Sequence, residues 1–147
     1  MTIYLACTVR GDRGAVEALR SLADALERQG HVVLTRHLLA DNVDSAESLL
    51  SERDVFERDV RWLEGADLLI AEASGSSYGV GFEVGYVVGR AERSGQRVLL
   101  LYDAARRERV SRLIAGNVHP SCTTYSYGDT SDLLRFVDAY LAPVAGR

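Results

Sequence analysis

The sequence predicts an α/β fold in which helices cover both faces of a doubly wound, five-stranded parallel sheet of the Rossmann-like or flavodoxin-like type. Short apolar runs alternate along the chain with segments whose apolar residues recur at helical spacing, which is typical of this architecture. The run at residues 68–73 is apolar without alternation, so it predicts a strand covered on both faces. No repeat or flexible linker interrupts the 147 residues, and we expect one domain over residues 1–147.

The elements follow from these runs in chain order. The first predicted helix carries Val16, Leu19 and Leu22 on one stripe, and Gly30 and Gly65 stop the first two helices. The predicted strands span residues 2–9, 32–35, 68–73, 98–102 and 123–127. The predicted helices span residues 15–29, 45–64, 81–94, 108–115 and 131–141.

The charge and cysteine content exclude several classes of protein. All 17 basic residues are arginine, so the chain has neither a Schiff-base lysine nor the lysine of a P-loop nucleotide site. A net charge of −4 does not favour a nucleic-acid partner. No apolar run is long enough to span a membrane and no leader is recognisable, so no membrane partner is expected. Cys7 and Cys122 lack metal-ligand spacing, which predicts a cytoplasmic protein without a metal site.

Ligands of a doubly wound sheet bind at the carboxyl ends of its strands, so functional residues are expected in loops 8–14, 36–42 and 74–83. The third loop contains the start of a glycine cluster at residues 79–85. Its G-x-G-x-x-x-G spacing is one residue too long for a dinucleotide fingerprint, and it follows the third strand rather than the first. Gly79 and Gly81 would still allow a ligand to approach the backbone closely.

Glu83 and Asp59 are the candidate reactive carboxylates. We expect Glu83 in the first turn of a helix, where backbone N–H groups and the helix dipole would keep it ionised; an acid that merely stabilises a helix start is the alternative. Asp59 lies at the border of an apolar stripe and either faces inward or pairs with Arg58 or Arg61. Two carboxyl groups in different environments are the usual equipment for splitting a glycosidic bond.

The segment after the first strand predicts an anion site. Thr8, Arg10 and Arg13 combine a hydroxyl and two guanidinium groups with the free N–H groups of a helix start. The alternative is a surface turn in which Asp12 neutralises one of the arginines.

Other polar residues near these loops have two interpretations. Ser74, Ser76 and Ser77 either add hydroxyl groups to the anion site or serve as turn residues. His37 is expected at the polar rim of the site. A solvated face is expected to carry Arg106, Arg107 and Arg109.

Five segments together resemble one protein family. In their order and spacing they resemble the 2′-deoxynucleoside 5′-phosphate N-hydrolases (the Rcl type) of the nucleoside 2-deoxyribosyltransferase superfamily. The resemblance extends from Tyr4 to about Gly116. The segments are Tyr-Leu-Ala-Cys-Thr-Val-Arg-Gly-Asp-Arg at 4–13, Val-Leu-Thr-Arg-His at 33–37, Asp-Val-Arg-Trp-Leu-Glu-Gly-Ala-Asp at 59–67, Ala-Glu-Ala at 71–73 and Gly-Val-Gly-Phe-Glu-Val-Gly at 79–85.

The resemblance implies an enzyme that hydrolyses the N-glycosidic bond of a 2′-deoxynucleoside 5′-monophosphate, releasing free base and 2-deoxyribose 5-phosphate. No metal or organic cofactor is implied. Glu83 would attack the anomeric carbon, Asp59 would assist departure of the base, and Tyr4 would lie beside the sugar and the nucleophile.

The same resemblance implies a nucleotide-binding set and a homodimer. Ser111 would reach the phosphate from the neighbouring subunit. Val9 and His37 would border the base. The remaining residues implied to hold the 5′-phosphate are Thr8, Arg10 and Ser77.

Ser77 distinguishes a nucleotide substrate from a nucleoside. In the deoxyribosyltransferases an aspartate stands six residues before the nucleophile and binds a free 5′-hydroxyl, and a carboxylate there would repel a phosphate. Transferases also take a 5′-hydroxyl contact from the C-terminal end of the neighbouring subunit, for which residues 143–147 offer no candidate.

Tyr4 favours deoxyribose, because related CMP hydrolases that accept ribose carry phenylalanine at this position. Three alternatives remain: a nucleoside 2-deoxyribosyltransferase, a CMP-type ribonucleotide N-glycosidase, and a sensor that binds nucleotides without cleaving them. The preferred base is open.

Overall fold

Five parallel strands form the sheet of the computed structural model, which describes residues 1–142. In chain order they are β1 (Thr2–Ala6), β2 (Val32–Val33), β3 (Leu68–Glu72), β4 (Arg97–Asp103) and β5 (Cys122–Tyr127). Their spatial order, β2–β1–β3–β4–β5, is the flavodoxin-like order, which confirms the predicted fold class and puts the switch point between β1 and β3. Residues 143–147, in which no contact for a 5′-hydroxyl was found, lie outside the described residues.

Helices cover both faces of this sheet. The α-helices within residues 1–142 are α1 (Val16–Arg28), α2 (Val43–Glu47), α3 (Glu52–Gly65), α4 (Tyr78–Val88), α5 (Ala91–Ser94), α6 (Arg112–Ala115) and α7 (Thr130–Leu141), with 3₁₀ helices at Arg36–Leu39 and Ala104–Arg109. The core under α1 and α7 lies on one face, and the core under α3 and α4 lies on the other. In this part of the chain, no helix has the length and apolar character needed to cross a membrane.

Alternation along β1 determines which face each side chain reaches. Ile3 and Leu5 join the core under α1 and α7, whereas Tyr4 and Ala6 join the core under α3 and α4. Tyr4 is fully buried there. A buried tyrosine needs a hydrogen-bond partner for its hydroxyl, so this core includes a polar contact.

The prediction of one helix at residues 45–64 is wrong, because the structure has two helices there. α2 ends at Glu47 and α3 begins at Glu52. Ser51 and Asp54 form a capping box in which the Ser51 hydroxyl accepts from the Asp54 N–H and the Asp54 carboxylate accepts from the Ser51 N–H. The helical spacing of apolar residues continues across the break, and this continuity concealed the new helix start.

Other helix boundaries also differ from the prediction. α4 begins at Tyr78 rather than at residue 81, since the Ser77 hydroxyl caps it by accepting from the Val80 N–H. Gly89 ends α4 before the separate helix α5, so the helix predicted at 81–94 is two helices. The helix predicted at 108–115 is the end of a 3₁₀ helix followed by α6, and the loop predicted at 36–42 contains the other 3₁₀ helix.

Thr35 extends the short strand β2 through its side chain. β2 contributes 2 residues to the sheet. Beyond it, the fully buried Thr35 hydroxyl accepts from the Leu5 N–H at 2.9 Å and donates to the Leu5 carbonyl oxygen at 2.7 Å. One side chain therefore satisfies both backbone groups of Leu5 on this side of β1.

We predict that Thr35→Val destabilises the fold by about 2–4 kcal/mol, because it leaves two buried backbone groups without partners. Thr124→Val is the matched control, since the Thr124 hydroxyl is buried and has no hydrogen-bond partner among residues 1–142, and its effect should stay within about 0.5 kcal/mol. Urea unfolding measures both free energies. Equal losses in the two variants would contradict the assigned role of Thr35.

Candidate active site

A cavity of about 890 Å³ lies at the carboxyl ends of β1 and β3, next to the switch point of the sheet. Its wall combines the segments that follow these strands with α3, α4 and the break between α2 and α3. The lining residues are Cys7, Val9, Arg10 and Gly11, then Leu38, Glu47, Ser48, Leu50, Glu52, Val55 and Asp59, then residues 75–80 and Glu83. The predicted loops therefore do contribute to one site.

Tyr4 and Glu83 are joined by a hydrogen bond. The Tyr4 hydroxyl donates to Oε1 of Glu83 at 2.6 Å. Tyr4 comes from β1, which has a strand on either side, and Glu83 comes from α4, so the bond links the sheet to the cavity wall. Burial, followed by the charge of Glu83, raises the pKa of Tyr4, so its hydroxyl stays protonated and remains a donor.

The expected position and charge of Glu83 require correction. Because α4 begins at Tyr78, Glu83 lies in the second turn of the helix, beyond the strongest influence of the helix N-terminus. Burial raises the pKa of Glu83 to about 7; the hydrogen bond from Tyr4 lowers it, and the charge of Asp59 raises it. The carboxyl group is therefore poised near neutrality rather than held firmly ionised.

Asp59 lies on α3 and lines the same cavity as Glu83. Its side chain is 23% exposed, and its Oδ1 accepts a hydrogen bond from Nε of Arg58 at 2.8 Å. Both interpretations of the sequence are thus met, since Asp59 faces inward and also pairs with Arg58. Its charge acts on Glu83, which places the two carboxyl groups in one electrostatic environment.

Glu47 is a cavity residue that the sequence analysis missed. Its side chain is 13% exposed, and both its oxygens accept hydrogen bonds from Arg58, at 2.9 and 3.0 Å. His37 lies behind it, with Nε2 at 3.4 Å from Glu47 Oε1, and does not line the cavity. The capping box at Ser51 was the available signal, because it shows that residues 48–51 turn rather than continue a helix.

Arg10, Gly75 and Ser77 line the cavity, and Thr8, which does not line it, packs against Gly75. A Cβ on Gly75 would overlap Thr8 Oγ1 and lie 2.7 Å from the Asp12 carbonyl oxygen, so this close approach requires glycine. Thr8 is buried beside the wall, and its Oγ1 has no hydrogen-bond partner within residues 1–142. Arg10 lines the cavity, and its ion pair with Asp44 is exposed, so the guanidinium is available to an anion.

Arg13 is directed away from the cavity. Its guanidinium donates to the carbonyl oxygens of Thr8, Leu38 and Ala40 at 3.0–3.2 Å. The guanidinium joins the loop after β1 to the 3₁₀ helix at Arg36–Leu39. Arg13 therefore has a structural role rather than the predicted contact with a ligand, because its guanidinium group is already bonded to three carbonyl groups.

Asp12 does not neutralise Arg10 or Arg13. Instead it pairs with Arg106, and with Arg109 at 3.0 Å. The predicted solvated face is thus wrong for Arg106, whose side chain is 17% exposed, whereas Arg109 is 69% exposed as predicted.

The serines of the third loop have separate functions. The Ser74 hydroxyl is buried and donates to Glu72, while it accepts from the Asp103 N–H at 2.8 Å, so it cannot reach an anion. Ser76 donates to the Arg109 carbonyl oxygen. Ser77 lines the cavity as the cap of α4.

The remaining predicted ligand contacts divide between the cavity and the surface. Val9 and Gly79 line the cavity. Gly81 and Ser111 do not, and Ser111 lies exposed at the start of α6. One chain thus brings Glu83, Asp59, Val9, Arg10, Ser77 and Gly79 to a common wall.

The comparisons with known proteins agree with each other. The family model described as nucleoside 2-deoxyribosyltransferase matches residues 3–119. A Thermofilum pendens protein named as a 2′-deoxynucleoside 5′-phosphate N-hydrolase is 42% identical over 96% of this chain and 95% of its own. The 5-hydroxymethyl-dUMP N-hydrolase of Danio rerio is 32% identical over 79% of this chain and 78% of its own. The solved Clostridium botulinum CMP N-glycosidase shares the fold, with TM-score 0.70 at 22% identity over 96% of this chain and 100% of that one.

We predict that Glu83→Gln stabilises the protein more at pH 8 than at pH 5, by a difference of about 1–3 kcal/mol. The folded state holds the Glu83 proton up to about pH 7, whereas the unfolded chain releases it near 4.5. Ionisation of Glu83 therefore costs stability as pH rises between these values, and glutamine avoids that cost.

Denaturant unfolding of both proteins at the two pH values measures this difference. Glu92→Gln, at an exposed position, is the control for removing one negative charge. A pH-independent effect of Glu83→Gln would contradict the raised pKa.

Proposed function

The chain belongs to the nucleoside 2-deoxyribosyltransferase family, and from that premise we propose that it hydrolyses 2′-deoxynucleoside 5′-monophosphates with Glu83 as nucleophile. The enzyme is an N-glycosidase, as are its named hydrolase relatives. The observation that carries the assignment of Glu83 is its hydrogen bond from Tyr4 at 2.6 Å, in a cavity that Asp59 also lines.

Glu83 forms the covalent bond in the first step. With Oε1 held by Tyr4, the second oxygen attacks the anomeric carbon while the bond to the base breaks and the base leaves with the bonding electrons. A pKa near 7 means that a substantial fraction of Glu83 is ionised at neutral pH. Cys7 does not compete as nucleophile, because burial raises the pKa of its thiol to about 11.

Asp59 and water complete the reaction. Asp59 lies on α3 and lines the same cavity. It assists departure of the base, which must gain a proton. Water then attacks the anomeric carbon and displaces the Glu83 carboxylate, which releases 2-deoxyribose 5-phosphate. The proton that this water loses balances the one that the base gains. Partial burial strengthens the interaction of both carboxylates with the positive charge that develops on the sugar.

The 5′-phosphate binds beside Arg10 and Ser77, which line the cavity, and next to Thr8, which packs behind Gly75. The unpartnered Thr8 hydroxyl, the exposed guanidinium of Arg10 and the hydroxyl of Ser77 support this placement. Binding energy from the phosphate would position the sugar against Glu83. Because Ser111 does not line the cavity of its own chain, its contribution requires the second subunit of a homodimer.

Tyr4 and the cysteines support two further parts of the proposal. The Tyr4 hydroxyl beside the nucleophile leaves little room for a ribose 2′-hydroxyl, so deoxyribose is favoured over the ribose of a CMP N-glycosidase. The unpaired thiols of Cys7 and Cys122 support a cytoplasmic location. We further propose that residues 1–147 act as one domain. The base is bordered by Val9, which lines the cavity.

The decisive experiment incubates the protein with the four dNMPs, CMP and GMP and measures free base by chromatography. We expect release of base from dNMPs without an acceptor base, and loss of more than about 100-fold in kcat for Glu83→Gln. Nucleotide binding by Glu83→Gln should persist in calorimetry. Exchange that needs a second base would identify a transferase, preferential cleavage of CMP a ribonucleotide glycosidase, and binding without cleavage a sensor.

We predict that Ser77→Asp weakens dNMP binding by about tenfold or more, because a carboxylate beside the phosphate adds repulsion in a partly dry site. Aspartate caps a helix as well as serine does, so α4 should remain intact. Ser77→Asn is the matched uncharged control and should bind dNMPs nearly as the wild type does. Calorimetry with dNMPs and the corresponding deoxynucleosides measures both, and equal weakening of the two ligand classes would refute the phosphate assignment.

A further inference from the structure

Arg58 joins two carboxylates of the cavity wall. Its Nη1 and Nη2 donate to Oε1 and Oε2 of Glu47 at 2.9 and 3.0 Å, and its Nε donates to Oδ1 of Asp59 at 2.8 Å. Glu47 and Asp59 line the cavity, whereas Arg58 lies behind them. The three side chains are 13%, 23% and 20% exposed in that order. These charge-assisted bonds are therefore less screened than surface ion pairs.

The contact between Arg58 and Asp59 does not follow from the helix itself. Adjacent positions on a helix point about 100° apart, so the arginine must bend toward its neighbour. Glu47 binds the end of the guanidinium, and the Trp62 ring lies 5.0 Å from its carbon. His37 contacts Glu47, and its ring lies 5.5 Å from the ring of Trp62. The direction of Arg58 is thus set by residues other than Asp59.

One oxygen of Asp59 is left for the cavity. Oδ1 accepts from Arg58, and Oδ2 accepts no hydrogen bond from any residue within 1–142. We propose that Arg58, held by Glu47, is a positioning residue that fixes the carboxylate of Asp59 with Oδ2 toward the substrate. This inference rests on the proposed function, in which Asp59 assists departure of the base.

The charges and the shape of the guanidinium fit this role. Arg58 and Glu47 stabilise each other's charged form through their hydrogen bonds. These bonds are the main cause that lowers the pKa of Glu47 and the main cause that raises the pKa of Arg58, so both side chains remain ionised. The planar fork uses Nη1 and Nη2 in one direction and Nε in another. Lysine has the charge but not the fork, so it cannot hold both carboxylates in this geometry.

Steady-state kinetics of base release from a dNMP test the proposal. Arg58→Ala and Arg58→Lys should each lower kcat about 10- to 100-fold while KM changes less than about threefold, because a misplaced catalytic group affects the reaction rather than binding. Arg53→Ala is the matched control: Arg53 lies on the same helix and forms an exposed pair with Glu57, so kcat should be unchanged. A raised KM with unchanged kcat in the Arg58 variants would overturn the proposal.

A double-mutant cycle separates positioning from general loss of structure. In an Asp59→Asn background, Arg58→Ala should lower the residual rate less than about twofold, since its effect passes through Asp59. Guanidinium ion at millimolar concentration should partly restore kcat of Arg58→Ala, and sodium chloride of equal ionic strength should not. Equal losses in the two backgrounds would overturn the positioning role.

Crystal structures give a readout that does not depend on turnover. In Arg58→Ala the Asp59 carboxylate should rotate away from the cavity, and in Arg53→Ala it should keep its position. If the wild type released no base, the proposed function would fall, and the position of Asp59 would still decide the role of Arg58. An Asp59 carboxylate that is unmoved in Arg58→Ala would overturn that role.

Discussion

The hydrogen bond between Tyr4 and Glu83 joins the cavity wall to an interior strand of the sheet. Tyr4 is fully buried on β1, which has strand neighbours on both sides, so its hydroxyl has little freedom to move. Glu83 is therefore oriented by the sheet rather than by a loop. Such placement on regular elements gives a reacting group the precise orientation that catalysis requires. The second carboxylate, Asp59, is positioned in a similar way from α3.

This arrangement places one carboxyl group, that of Glu83, where its ionisation costs stability. Glu47, Asp59 and Glu83 all line one cavity, and the hydrogen-bonding cation among the described side chains next to the first two is Arg58. Within residues 1–142 no cation hydrogen-bonds to Glu83, whose partner is the Tyr4 hydroxyl, and burial raises its pKa to about 7. A site that gives up stability for reactivity is typical of enzymes.

Arginine has structural functions in this chain, which contains no lysine. Arg13 joins three carbonyl groups from two segments, and Arg106 and Arg109 hold Asp12 against the 3₁₀ helix at Ala104–Arg109. These contacts fix the loop after β1, in which Thr8 and Arg10 lie. A planar fork can bridge several acceptors at once, which a single ammonium group does less well. Loops at the carboxyl edge of the sheet are thereby held in place.

Local sequence determined most of the elements, because hydrophobic spacing acts over short distances, and it named the candidate reactive residues. The strands, α1 and α7 are predicted within a few residues, and the sequence predicts Glu83 and Asp59 as the candidate carboxylates of the site. The break before α3 and the start of α4 at Tyr78 were missed, since side-chain caps override continuous apolar spacing. Tertiary structure alone decided that Arg13 binds carbonyl groups, that Glu47 reaches the cavity and that Glu83 titrates near neutrality. These properties depend on burial and on partners distant in sequence, which no local pattern contains.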